Sequence, residues 1–220
     1  EISHGHFPYS PPQGLVTFRE AVVQHFSKTK ETSLSNEQIL ACNSAASAIQ
    51  HFYDSILAPG DEVLIQDPVD LLLGYCAERA GGVVRRIPTQ IPKGQFSVVE
   101  GWQSCVNEKT KVLVICHPHN PLGFYYDRNQ LEEISAFASR NNLILFSDEV
   151  WSDVVFKDNF ISMKAIHPEA WVVYGLSKGF GLAGLRIGAL ISPDADGLKK
   201  VMNVAGYDRT IEGTSTLSQM

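Results

Sequence analysis

With 220 residues, 44% of them hydrophobic and 19% charged, the chain can bury a real core and has neither a disordered nor a coiled-coil composition. Eighteen basic against 24 acidic residues leave a net charge of −6, which argues against an electrostatic nucleic-acid binder with its basic face. Apolar runs such as residues 112–116 and 143–146 are far too short to span a bilayer.

The opening residues have no basic stretch followed by an apolar one, so no signal peptide is visible. Cys42, Cys76, Cys105 and Cys116 are widely spaced and form no C-x-x-C pair. The expectation is a reduced, cytoplasmic protein.

In chain order, the Pro- and Gly-rich residues 4–14 read as an exposed or subunit-clasping segment. Apolar runs at 62–66, 83–87, 111–116, 143–147, 171–174 and 187–191 read as strands. They lack clean polar alternation, as strands covered on both faces do. Residues 45–57, 69–80, 98–107 and 127–140 read as helices. In the last, Asp127 is the expected N-cap, and Leu131, Ile134, Phe137 and Ala138 form the buried face. Pro59-Gly60-Asp61 punctuates a turn between helix and strand. Repeated strand–helix units predict an α/β fold, a three-layer sandwich around a mainly parallel sheet, with chemistry at the carboxyl ends of the strands. The last residues, 213–220, stop without a capped element, so the chain reads as cut at both ends.

Residues 179–184 match G-x-G-x-x-G but run into another predicted strand. A dinucleotide fingerprint needs a helix that begins inside the glycines, so this reading is weak. No G-x-x-x-x-G-K-[ST] motif is present. His117 and His119 end a strand near Asp148, a set that zinc can use, but His4, His6, His25, His51 and His167 add no ligand spacing. Pro118 is expected to turn the two rings apart and leave them solvent-facing or in supporting roles.

Asp148-Glu149 ends a strand, and adjacent strand residues point to opposite faces. The pair therefore cannot share one reacting bond as glycosidase carboxylates do. One carboxylate is expected to be buried and the other turned away. The buried one needs a partner, either a salt bridge within the domain or the protonated ring nitrogen of a cofactor. Lys178, beside Ser177, sits among glycine and apolar residues. On this residue alone a solvated loop lysine is the simpler reading, and a desolvated amine competent for Schiff-base chemistry is the sharper one. Arg186 could clamp a phosphate with its bidentate fork.

Taken together, these motifs resemble the aminotransferase class I/II family, the fold-type I enzymes dependent on pyridoxal 5′-phosphate (PLP). Tyr9 and Gly14 followed by Phe18-Arg19 look like the family's Tyr-x4-Gly-x3-Leu-Arg segment. Ser44-Ala45-Ala46 lies where the family binds phosphate on backbone N–H groups. Asn120-Pro121-x-Gly123, Asp148-Glu149 and Ser177-Lys178-x5-Gly184-x-Arg186-x-Gly188 follow in family order.

The resemblance implies that Lys178 carries the cofactor as a Schiff base and that Asp148 pairs with the pyridinium nitrogen. Asn120 would hydrogen-bond the ring's O3′. Ser177, Arg186, Ser44 and the backbone of Ala45 and Ala46 would hold the phosphate. Tyr9 would reach the phosphate of a partner subunit, which implies a homodimer with shared active sites. Transamination between an amino acid and a 2-oxo acid is the expected reaction, with no nucleic-acid or membrane partner.

The chain departs from the family pattern at specific positions. Pro68 is followed by Val69-Asp70, where an aromatic usually stacks on the ring. Trp151 replaces the Tyr that usually bonds O3′; its indole N–H can donate but cannot act as an acid. His117 replaces the Asn often found ahead of the Asn-Pro motif. The stretches at 116–121 and 147–153 also look like the cystathionine β-lyase (C–S lyase) branch, and that at 176–186 like aminocyclopropane-carboxylate synthases.

Family members run to about twice this length, and their small C-terminal domain carries the arginine that grips the substrate carboxylate. By this reading, residues 1–30 contact a partner subunit, 31–195 form the PLP-binding large domain, and 196–220 begin the connection to a small domain missing from this chain. Arg209 matches no motif. A non-catalytic PLP-fold binding protein would explain Val69, Asp70 and Trp151, but not the presence of Lys178, Asp148, Asn120 and Arg186. An NAD-type oxidoreductase rests on the glycine run alone.

Overall fold

The computed structural model describes residues 8–91, 97–156, 160–207 and 213–220. His4, His6, Arg209 and the first part of the 4–14 segment lie outside the described residues.

Seven strands form one sheet: β1 (Ile39–Cys42), β2 (Glu62–Asp67), β3 (Val83–Pro88), β4 (Thr110–Cys116), β5 (Ile144–Asp148), β6 (Trp171–Gly175) and β7 (Gly188–Ile191), in the order β1-β7-β6-β5-β4-β2-β3. Only β7 runs against its neighbours, pairing antiparallel with both β1 and β6. The β2–β3, β2–β4, β4–β5 and β5–β6 pairs are parallel. Every strand expected from the sequence is present, and β1 is an addition. Four residues with no alternation (Ile-Leu-Ala-Cys) give a periodicity search nothing to hold.

Two helical layers cover the sheet. Val63, Ile65, Val112, Val114, Phe146 and Val173 project to one side and pack with α2 (Ala45–Ile56), α3 (Leu71–Arg79) and α7 (Ala195–Ala205). Leu64, Leu113, Ile115 and Leu145 project to the other, under α4 (Arg128–Arg140) and α5 (Met163–Ile166). On that same side Val172, Tyr174, Ala189 and Ile191 meet Phe18, Val22 and Phe26 of α1 (Val16–Thr29). Alternate residues of one strand thus enter different cores, which is why the strands read as continuous apolar runs.

Asp127 caps α4 as expected: its side chain accepts from the Gln130 N–H, Gln130 returns the bond, and Leu131, Ile134, Phe137 and Ala138 are buried. The helix expected over residues 98–107 is not formed. Only a 3₁₀ turn, Trp102–Cys105, occurs there, because Gly101 adopts a left-handed conformation (φ 80°) just ahead of it. Residues 69 and 70 also lie outside α3, with Asp70 as its N-cap.

Candidate cofactor and active site

The predicted residues gather where the strands end. β6 leads through Gly175 into one helical turn, α6 (Leu176–Gly179), which carries Ser177 and Lys178. Ser44 caps α2, accepting from the Ser47 N–H at 3.1 Å. The N–H groups of Ala45 and Ala46 therefore begin a helix and have no partner within it. Two glycines bring these pieces together. A Cβ on Gly175 would stand 3.6 Å from the Ala45 Cβ, and one on Gly188 would stand 2.7 Å from the Ala45 nitrogen.

Arg186, two residues before Gly188, adopts a left-handed backbone (φ 51°, ψ 52°) after the 3₁₀ turn Ala183–Leu185. It is exposed and donates from Nη1 to the Ala183 carbonyl at 3.1 Å, leaving the rest of its fork to other acceptors. The glycine run 179–184 thus leads through that short turn to a strand, and the helix a dinucleotide motif requires is not there.

Asp148 ends β5 and is buried; its Oδ1 accepts the Val150 N–H at 3.2 Å. Burial pushes its carboxyl up to about 7, the Val150 bond opposes this, and the charge of Asp70 adds to it. Among the described residues no lysine, arginine or histidine forms an ion pair with it. Glu149 departs from expectation: it points to the other face, yet it is fully buried too. Its Oε1 accepts from Ser147 Oγ, Ser162 Oγ and the Met163 N–H at 3.1, 3.1 and 2.8 Å. The other oxygen, Oε2, is buried without a hydrogen-bond partner, and burial raises the carboxyl to about 7 against the pull of the three donors.

Lys178 is exposed, and its Nζ lies 5.0 Å from the centroid of the Trp151 ring. Asn120 is held by its N–H to Cys116 Sγ at 3.3 Å, and its Nδ2 donates to Asp70 Oδ2 at 2.9 Å. A cavity of about 550 Å³ opens beside these groups, lined by His119, Asn120, Tyr125, Trp151, Val155 and Phe156. Tyr9 lies apart and is 82% exposed.

The two histidines are not solvent-facing. His117 is wholly buried, bonded to the Ile161 carbonyl (3.0 Å) and the Tyr126 N–H (3.2 Å), and burial lowers it to about 4. His119 stacks on Phe124 at 4.6 Å and is lowered likewise. Among the described residues no cluster of His, Cys, Asp or Glu is arranged to hold a metal ion, and no helix is long and apolar enough to cross a membrane.

Sequence reasoning missed a half-buried polar hub next to Gly179. Asp153 accepts from Lys30 Nζ (2.5 Å), His25 Nε2 (2.7 Å) and Tyr174 Oη (2.6 Å). The next residue after Lys178 is Gly179, where a Cβ would stand 2.4 Å from the Asp153 Cβ. Asp153 was visible in the stretch 147–153, but nothing in the sequence links it to Lys30, which is 1% exposed.

Val69 packs in the core, while Asp70 caps α3 and accepts from the Asn120 amide. The assembled groups are an exposed amine, a buried carboxylate short of a cation, and a helix N-terminus packed on Gly188, two residues after an exposed arginine. Such a set can bind an anion, pair with a cation and attack a carbonyl.

Known proteins share this arrangement of sequence and fold. The profile of the family described as "Aminotransferase class I and II" matches residues 2–214. The putative aminotransferase YugH of Bacillus subtilis is 29% identical over 196 residues, 87% of this chain and 51% of that protein. An aspartate aminotransferase of Thermotoga maritima is 31% identical over 199 residues, 88% of this chain and 52% of its own length. The structure of Thermus thermophilus aspartate aminotransferase with maleate superposes with a TM-score of 0.89 at 26% identity, covering 99% of this chain and 56% of that one. The chain spans about half the length of the curated relatives it matches. On these matches, the chain belongs to the aminotransferase class I and II family.

Proposed function

We propose that the site holds PLP on Lys178 and serves an aminotransferase that moves an amino group between an amino acid and a 2-oxo acid. The observation that carries this reading is the buried carboxylate of Asp148, which has no cationic partner among the described residues and stands at the same sheet edge as the exposed amine of Lys178. The residues fit the cofactor. A pyridinium N–H would supply the cation that Asp148 lacks, and the Ala45 and Ala46 N–H groups, Ser44, Ser177 and Arg186 form a donor set suited to a phosphate.

When bound, PLP supplies the electron sink that stabilises negative charge at the substrate Cα. The chain does the rest. The Lys178 amine would hold the cofactor through its carbonyl carbon and, as a free amine, would be the base that takes a proton from the substrate Cα. Asp148 would keep the ring nitrogen protonated, and the Asn120 amide would donate to O3′. Trp151 flanks Lys178 and limits where its amine can lie. The exposed Tyr9 would reach the phosphate of a second copy in a homodimer with shared sites. The relatives named above as aminotransferases support this reading over β-elimination.

The test is the visible absorption of the purified protein with PLP, beside Lys178→Ala. A pH-sensitive band that borohydride fixes onto residue 178, absent from the variant, is expected. Product that forms only with a 2-oxo acid acceptor identifies transamination; pyruvate and thiol released from a cysteine thioether identify C–S lysis instead. No band in the wild type, or an undiminished band in the variant, overturns the reading.

A further inference from the structure

Asp70 is tied at both oxygens. As N-cap of α3 it accepts the Leu72 N–H on Oδ1 at 3.0 Å, which fixes the carboxyl plane. Its other oxygen, Oδ2, accepts from Asn120 Nδ2 at 2.9 Å. An ionised carboxylate only accepts, so the amide must present its nitrogen and not its oxygen. That nitrogen carries two N–H groups. One is committed to Asp70, and the planar amide then fixes the direction of the second.

Asp70 also acts at a distance. The titratable groups that face Asp148 are Tyr53 from α2, Cys116 from β4 and Asp70 from the head of α3. Burial holds Tyr53 and Cys116 well above their ordinary values, so both stay neutral. Among the described groups around Asp148, Asp70 is therefore the charged one, and it has the same sign.

We propose that Asp70 is a positioning residue of the site: it turns the Asn120 amide so that its second N–H serves an anionic oxygen, and its negative charge favours a cation beside Asp148. This rests on the PLP reading above. It also gives the Val69-Asp70 departure a role, a carboxylate standing where the family has an aromatic.

Two variants that keep the helix cap separate the effects. Asp70→Asn retains an acceptor for Asn120 and removes the charge; Asp70→Ser removes both. With PLP bound, the pH midpoint of the visible band should fall by about half a unit or more in Asp70→Asn, because a cation in the site loses a favourable neighbour. In Asp70→Ser the midpoint should lie above that of Asp70→Asn, because an O3′ without its donor holds a nearby proton more tightly.

In the protein without PLP, the Asp148 carboxyl carbon, followed by NMR, should titrate lower in both variants than in the wild type. Equal midpoints in the two PLP-bound variants would overturn the positioning of Asn120. Wild-type midpoints throughout would overturn the proposal. If the wild type develops no band, the cofactor reading fails by itself, and the Asp148 titration still decides whether Asp70 acts on it.

Discussion

Gly188 and Ala45 approach so closely that a Cβ at 188 would stand 2.7 Å from the Ala45 nitrogen and 2.9 Å from the Ser44 carbonyl carbon. Both neighbours are backbone, which cannot rotate away. Any side chain at 188 must push β7 off the first turn of α2, shifting the backbone two residues from Arg186. Gly188→Ala is therefore expected to weaken PLP binding at least tenfold, measured by fluorescence titration. It should also cost about 1–3 kcal/mol of stability in urea unfolding, the usual range for overpacking. Unchanged affinity and stability together would show that the contact relaxes without consequence.

Asp153 draws α1, the loop after β5 and β6 into one half-buried cluster. Burial pushes its carboxyl up, but the donors His25, Lys30 and Tyr174 outweigh that and hold it well below the ordinary carboxylate range. Asp153→Ala leaves the Lys30 ammonium buried without its carboxylate, over the Phe160 ring at 5.0 Å. The expected loss is about 3–5 kcal/mol at pH 7. Because the folded value is depressed, this stabilisation is complete above the unfolded value and is lost as pH falls through the folded one. The gap between variant and wild type should therefore narrow below about pH 4 in urea melts. A gap independent of pH would mean the carboxylate's charge contributes nothing.

The four cysteines are free, and three are buried. Burial raises Cys42 to about 12 and raises Cys76 and Cys116 as well. Thiolate, the reactive form, is scarce at all three. A disulfide reagent at pH 8 should therefore modify the half-buried Cys105 rapidly and the others only on unfolding. Counting labelled thiols by mass spectrometry before and after denaturant checks this, and fast labelling at Cys116 would contradict the burial of the β4 end.

The candidate residues that the sequence offered are those that local motifs carry. Lys178, Asp148, Asn120 and Arg186 all sit at strand ends, where short-range rules and the order of elements already put them. Contacts between distant segments were not legible. Lys30 and Asp153 meet across 123 residues of chain, and no local pattern marks a lysine that will be buried. Both members of the Asp148-Glu149 pair were assigned to opposite faces correctly. The burial of Glu149 depends on α5, a helix of four residues too short to announce itself. The region at 98–107 failed for a local reason: its apolar spacing suits a helix, but Gly101 turns the chain left-handed. Asp70 stood in plain view as a missing aromatic, yet its bond to Asn120 required the fold.

Asp148 itself gives the sharpest contrast between stability and function. Its folded value is raised to about 7 from an ordinary 3.8. Between those values the folded protein holds a proton that the unfolded chain has released, so stability falls as pH rises through this window and is level above it. Each unit corresponds to about 1.4 kcal/mol. Asp148→Asn keeps an oxygen for the Val150 N–H and removes the buried charge. Without PLP it should be more stable than wild type by about 2–4 kcal/mol at pH 8, and close to wild type at pH 4, where Asp148 is mostly protonated. Added PLP should reverse the order at pH 8, because only the wild type gains a pyridinium partner for its carboxylate. Thermal melts at both pH values, with and without PLP, read all of this. A variant less stable than wild type at pH 8 before PLP is added would mean that Asp148 already has a cation, and that its carboxylate was never short of one.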